Sequence, residues 1–128
     1  MTENKGFDPR LCDGMTLAYL GDSVMELYVR ERLVMSGITR AGELNLRAHE
    51  IVRATSQAKA FHRIEGMLTE EEGDFFRRGR NSGHLSPPRS ATISEYRTAT
   101  GFEAVLGYLH LIGNKDRICE LLYAAYEI

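Results

Sequence analysis

The chain has 128 residues, 43% of them hydrophobic and 27% charged, with a formal net charge of −2. That length suits one domain burying its own core, and the near-neutral total excludes uniform polycation binding to nucleic acid while leaving room for a local basic patch. Two cysteines, Cys12 and Cys119, are too few for a disulfide scaffold, and the longest wholly apolar run, Leu121 to Tyr126, excludes a membrane span.

Met1 to Arg10 is polar, without the apolar stretch of a signal peptide, so the expectation is a soluble cytoplasmic protein with both cysteines as reduced thiols. Residues 1–13 read as a flexible or loosely packed lead into a single domain spanning 1–128. From Met15 to Met35 the apolar spacing is helical. The dominant stripe is Leu17, Leu20, Val24, Leu27 and Tyr28, and Ala18, Met25, Val29 and Leu33 form a second face. A helix apolar on two faces belongs at the centre of a bundle. Gly21 inside it costs about 1 kcal/mol against alanine, which close helix packing would explain. Gly37 ends the helix.

Glu43 to Met67 reads as a second long helix, with Leu44, Ala48, Ile51, Ala58, Phe61 and Ile64 inward. Thr69 and Glu72 make a capping box for a short third helix that ends near Gly79. Asn81 to Ala91, with the Pro87-Pro88 pair, is the one long loop. Ser94 then reads as the N-cap of a helix reaching about Ile112. Gly113-Asn114 breaks it, and Asn114 to Tyr126 is the last helix, with Ile118, Leu121, Leu122 and Ala125 inward. Strand alternation is absent, and the expected fold is all-α.

Two carboxylates sit where apolar residues are expected. Asp22 lies in Leu20-Gly21-Asp22-Ser23-Val24, and Glu103 in Gly101-Phe102-Glu103-Ala104-Val105. An unpaired carboxylate in such surroundings costs several kcal/mol, so each needs a cation, hydrogen bonds or a wet cleft. A hard cation such as Mg²⁺, held by one or two carboxylates plus waters and substrate phosphate, would satisfy both. The small residues beside Glu103 on its helical stripe, Ala99, Thr100 and Gly107, would leave room for such an ion. The alternative is structural: Asp22 pairs with an arginine, and Glu103 bonds to Tyr96 or another hydroxyl. Glu26, one turn beyond Asp22, is placed either to join the site or to pair with Arg30.

Arg77, Arg78, Arg80, Arg89 and Arg97 stand against the single acid Glu95. The segment 77–97 therefore carries +4 and the remainder of the chain −6. Guanidiniums flanked by glycine, asparagine and serine suit phosphate oxygens. With no aromatic before Tyr96, stacking on single-stranded bases is poorly supported and duplex backbone is the better nucleic-acid partner. A merely solvated basic loop is the other reading. His49, His62, His84 and His110 show no zinc spacing with either cysteine, and no nucleophile motif or phosphate-binding glycine pattern is present.

Taken together, three blocks resemble the catalytic domain of the ribonuclease III family: Leu17-Ala18-Tyr19-Leu20-Gly21-Asp22-Ser23-Val24-Met25-Glu26-Leu27, then Arg78-Gly79-Arg80-Asn81-Ser82, then Tyr96-Arg97-Thr98-Ala99-Thr100-Gly101-Phe102-Glu103-Ala104-Val105-Leu106. They occur in the family's order over roughly 14–126. Ala18 and Thr100 stand where the larger enzymes carry a glutamate and an aspartate. A lone catalytic domain keeping Asp22 and Glu103, with no separate double-stranded-RNA-binding domain, is similar to the mini-ribonuclease III subfamily.

That resemblance implies a helical, homodimeric, Mg²⁺-dependent endoribonuclease that cuts a double-stranded stem in 23S ribosomal RNA maturation. It implies Asp22 and Glu103 as the catalytic metal ligands, with Glu26 as a further candidate. Arg78, Arg80, Asn81, Arg89 and Arg97 would hold RNA, and ribosomal proteins are candidate partners. Ala18 and Thr100 motivate the alternative, a non-catalytic RNA-binding or ribosome-associated dimer on the same fold.

Overall fold

The structure, a computed structural model, describes residues 6–82 and 90–128. A 3₁₀ turn at Pro9–Leu11 leads into α1 (Gly14–Met35), α2 (Ala41–Val52) and α3 (Ala54–Ile64). A second 3₁₀ turn, Glu65–Met67, precedes α4 (Glu70–Arg80), α5 (Ile93–Leu111) and α6 (Lys115–Tyr126). Among the described residues there is no strand, so the all-α expectation holds.

The central helix is α5. Every residue from Thr98 to Leu109 is buried except Glu103, which reaches the surface only in part. Helices α1, α3 and α4 pack around it. The α1–α5 crossing is a contact of backbones. A Cβ added to Gly21 would lie 1.7 Å from the Glu103 carbonyl oxygen, and one added to Gly107 would lie 2.0 Å from that of Leu17. One glycine on each helix therefore lets the other helix approach closely. Of the small residues along the Glu103 stripe, Gly107 is thus filled by α1, and the Thr100 backbone is met by Gly79 of α4.

Two apolar faces compete for the core along α1, and the structure chooses the one predicted as secondary. Ala18, Met25, Val29 and Leu33 are buried together with Leu17, Gly21 and Tyr28. Leu20 and Val24 are only partly covered, and Leu27 is 62% exposed. The physical reason is Gly21: the face bearing it can reach the α5 backbone, and the face bearing Leu27 cannot. The outward face lines an open groove of about 610 Å³, walled by Leu20, Val24, Leu27, His110, Ile118 and Cys119. Tyr19, beside the groove and not lining it, is 83% exposed.

The single helix expected from Glu43 to Met67 is two helices. Arg53 is extended (φ −63°, ψ 155°) and serves as C-cap of α2 and N-cap of α3 at once. Neither glycine nor proline marks the break. Side chains from the first turns of α3 fold back to the end of α2: Ser56 Oγ donates to the Glu50 carbonyl (2.6 Å), and Gln57 Nε2 donates to that of Val52 (2.6 Å). These bonds satisfy carbonyls that a helix end leaves without partners. The capping box of α4 is as expected. For α5 the cap is Thr92, with Glu95 completing the box, two residues before the expected Ser94.

Buried Glu72, the third residue of α4, meets Arg117 of α6 through two bonds, Nε to Oε2 (2.9 Å) and Nη2 to Oε1 (2.8 Å). Burial opposes ionisation of Glu72, but Arg117 and the Thr69 cap outweigh it and hold its carboxyl below the usual range. This pair closes α6 onto α4. Ile118, Leu121, Leu122 and Ala125 face inward as the periodicity predicts.

The backbone contact at Gly21 yields a direct test. Gly21→Ala should destabilise the protein by about 3 kcal/mol or more, since neither helix can withdraw without opening the core. Gly42→Ala has open space around the new methyl and should be neutral or stabilising by about 0.5–1 kcal/mol. Urea denaturation of both variants checks the contrast.

Candidate active site and nucleic-acid interface

Asp22 is the residue after Gly21, and Glu103 is the residue whose backbone Gly21 touches. The crossing therefore sets the two carboxylates side by side. Asp22 is exposed, whereas Glu103 is recessed between α1 and α3. Gln57 Nε2 donates to Glu103 Oε2 at 3.2 Å. Among the described residues no lysine or arginine forms an ion pair with either acid. The structural alternatives, an Asp22–arginine pair and a Glu103–Tyr96 bond, are thus not the arrangement seen.

This environment pushes the Glu103 carboxyl up to about 8. Burial is the first cause. The adjoining Asp22 carboxylate follows, by hydrogen bond and by like charge, and the charge of Glu26 adds to it, while the Gln57 N–H works in the other direction. Glu26 itself is engaged by Arg30 Nε at 3.1 Å. Tyr126 closes the inner side. Its hydroxyl donates to Met25 Sδ at 3.6 Å, and burial first, then the charge of Glu103, hold the phenol well above its usual value.

Two carboxylates held together with no lysine or arginine of the described residues paired to them fit a hydrated divalent ion. Among the described residues no group of three or more His, Cys, Asp or Glu is gathered closely enough to hold a metal alone. The pair thus suits Mg²⁺, which keeps several waters and takes ligands from substrate phosphate, better than it suits a metal needing an all-protein cage. Gln57 and Tyr126 were not anticipated from the sequence. The polar run Thr55-Ser56-Gln57 inside an otherwise helical apolar pattern was the available signal for the first.

The arginines divide by task. Arg78 Nη1 donates to the carbonyls of Arg10 (2.6 Å) and Cys12 (2.9 Å), and its guanidinium lies 4.5 Å from the Phe75 ring centre. It fastens the segment before α1 to α4. Arg77 is paired with Asp74. Arg80, Asn81 and Arg97 instead line one open cavity of about 420 Å³ with Ser94 and Thr98. Gly79 seats the end of α4 against Thr100 and Ala104 of α5, so this basic wall stands beside the segment that carries Glu103. Arg97 lies six residues before Glu103, about 9 Å along the helix axis. Arg89 and most of the loop predicted over 81–91, including Pro87-Pro88, lie outside the described residues. Cys12 and Cys119 are free and half-buried.

Glu103 makes the stability of the metal-free protein depend on pH. Its native value lies above the value of about 4.5 expected in the unfolded chain, so between these limits the native state holds a proton that the unfolded state has lost. Stability should fall as pH rises from about 4.5 to 8 and level off above. In a chelator, Glu103→Gln should therefore melt above the parent by a margin that grows over this range. Added Mg²⁺ should narrow the margin by competing with the proton, which calorimetry at several pH values measures.

The sequence and the fold have counterparts among known proteins. A model of the Ribonuclease III domain matches residues 15–114. The chain is 46% identical over 120 residues to the Mini-ribonuclease 3 of Symbiobacterium thermophilum, covering 94% of this chain and 92% of that one. It is 38% identical over 117 residues to the Mini-ribonuclease 3 of Streptococcus pneumoniae, covering 90% and 91%. A crystal structure of a protein from Fusobacterium nucleatum superposes with a TM-score of 0.83 at 30% identity, covering 91% of this chain and 95% of that one. The motif blocks, the helical architecture and these relatives agree: the chain belongs to the ribonuclease III family and is an endoribonuclease.

Proposed function

We propose that this endoribonuclease cuts double-stranded RNA with Mg²⁺ held by Asp22 and Glu103, as a homodimer of one catalytic domain over 1–128. We assign its cytoplasmic role to maturation of 23S ribosomal RNA, with ribosomal proteins as candidate partners. The observation that carries the reading is the juxtaposition of Asp22 and Glu103 with no lysine or arginine of the described residues paired to either. The 23S assignment rests on the resemblance of the motif blocks to mini-ribonuclease III and on relatives bearing that name.

Asp22 and Glu103 provide the anionic seat. Together they would hold Mg²⁺, which would supply activated water and charge neutralisation for phosphodiester hydrolysis to 5′-phosphate and 3′-hydroxyl products. Glu103 must first give up its proton, and its recessed position keeps competing cations of the chain away from it. Arg80, Asn81 and Arg97 receive phosphates of the duplex, with Arg89 as a further candidate, and fix its register without reading bases. Arg78 contributes by holding the α4 end in place.

The dimer has its support in α1. The stripe of Tyr19, Leu20, Val24 and Leu27 is more apolar than a monomer surface requires, and a second copy of the chain would cover it. Sedimentation should give a dimer at micromolar concentration, and Tyr19→Glu should shift it to monomer. A parent chain that sediments as a monomer would refute this assembly.

Chemistry and binding should separate by variant. Asp22→Asn should abolish single-turnover cleavage of an RNA duplex while leaving its affinity within about twofold, since it removes a metal seat and no phosphate contact. Arg80→Ala should weaken binding and flatten its salt dependence by about one phosphate contact. EDTA should stop cleavage by the parent. Full-rate cleavage by Asp22→Asn or in EDTA would overturn the metal assignment, and normal binding by Arg80→Ala would overturn the arginine wall.

A further inference from the structure

The least expected polar group in the molecule is Gln57. It is 3% exposed, on a helix otherwise packed through Ala58, Ala60, Phe61 and Ile64. Its amide nitrogen has two hydrogens and two acceptors: the Val52 carbonyl at 2.6 Å and Glu103 Oε2 at 3.2 Å. The Val52 carbonyl can only accept, so the nitrogen and not the oxygen must face it, which leaves the second hydrogen for Glu103 Oε2. The amide oxygen Oε1 is buried and has no hydrogen-bond partner among the described residues. An unpaired buried acceptor costs about 1–3 kcal/mol. A methionine would fill the same space and remove that cost, but it would leave the Val52 carbonyl without its donor. The position keeps the amide for what its N–H groups do.

From these bonds we infer that Gln57 is a positioning residue of the metal site, tying Glu103 to the fixed end of α2 so that its carboxylate faces Asp22 ready for a divalent cation. Asp22 and Glu26 set like charge beside Glu103. No arginine or lysine of the described residues restrains it. The Gln57 N–H does, and it is itself held by a backbone carbonyl at a helix end. Being neutral, the amide orients the carboxylate without neutralising it, which a lysine or arginine in its place would do. The break at Arg53 belongs to the same device: a straight helix from α2 into α3 would bond the Val52 carbonyl within the helix and leave the Gln57 amide without that anchor. Hydrogen-bonded partners of metal ligands act in this way, and their loss commonly weakens metal affinity by about 10–100-fold.

The inference rests on the metal site proposed above, and one set of measurements tests the two separately. Mn²⁺ binding to the RNA-free protein is read by electron paramagnetic resonance for the parent, Gln57→Met, Gln57→Asn, Glu103→Gln and the Gln57→Met/Glu103→Gln double variant. Gln57→Met keeps the shape and removes the donor. Gln57→Asn keeps the amide one methylene short of Glu103, so it still folds if the α2 end needs a polar group. Each Gln57 variant should bind Mn²⁺ about tenfold more weakly or worse, with duplex affinity in Ca²⁺ unchanged. Higher Mg²⁺ should restore cleavage, raising the metal requirement while sparing kcat. Within the Glu103→Gln background, Gln57→Met should change Mn²⁺ affinity by less than about twofold, because its effect passes through Glu103. Parent-like Mn²⁺ binding by either folded Gln57 variant overturns the inference, as does an equal loss in both backgrounds, which would mark a packing role. Parent-like binding by Glu103→Gln would instead overturn the metal site itself.

Discussion

The backbone contact between α1 and α5 is the constraint on which the remaining structure depends. Gly21 and Gly107 remove the side chains that would keep the two helices at an ordinary spacing. The dense core around Leu17, Met25, Phe102 and Leu106 follows from that approach. So does the site, because Asp22 is adjacent to one glycine and Glu103 supplies the backbone that this glycine touches. Fold stability and the gathering of charge are set at one crossing, where the core's favourable packing holds two like charges together. The cost is visible in Glu103, whose carboxyl is driven up to about 8 by burial and by Asp22.

Around that crossing the polar groups form a graded series. Gln57 bonds Glu103 from the buried side, and Tyr126 lies beyond it as a phenol kept un-ionised by burial and by the carboxylate's charge. Asp22 faces solvent on the other side. The gradient from apolar core to open surface leaves the pair open to solvent on the Asp22 side. A carboxylate pair fully inside would hold its protons too tightly to ligate, and one fully outside would be screened and mobile.

The basic segment shows how a charge count overstates a binding surface. Of the arginines between positions 77 and 97, one is consumed by Asp74 and one by two backbone carbonyls near the chain's start. Arg80 and Arg97, with Asn81, share a cavity where a phosphate can be met by guanidinium groups on two helices. They converge because Gly79 allows the end of α4 to rest on α5 beside Thr100 and Ala104. The arginine that stabilises the fold and those that face solvent are separated by only one or two positions in the chain.

Local chemistry was legible in the residues themselves. The helices α1, α4 and α6, the Thr69–Glu72 capping box and the inward face of α6 follow from 3.6-residue periodicity and short-range caps, which need no partner to operate. The oddness of Asp22 and Glu103 was legible for the same reason, since a carboxylate in an apolar run is costly whatever surrounds it. Which face of α1 is buried was not legible, because both are apolar and only the approach of α5 at Gly21 breaks the tie. Nor was the break at Arg53, which has no glycine or proline and exists because Ser56 and Gln57 satisfy carbonyls of α2. Gln57 came to stand beside Glu103, 46 residues away in the chain, through that break together with the packing of α3 on α5. Periodicity and caps act within a few residues, whereas a contact between distant helices is decided by which surfaces can come close enough to touch.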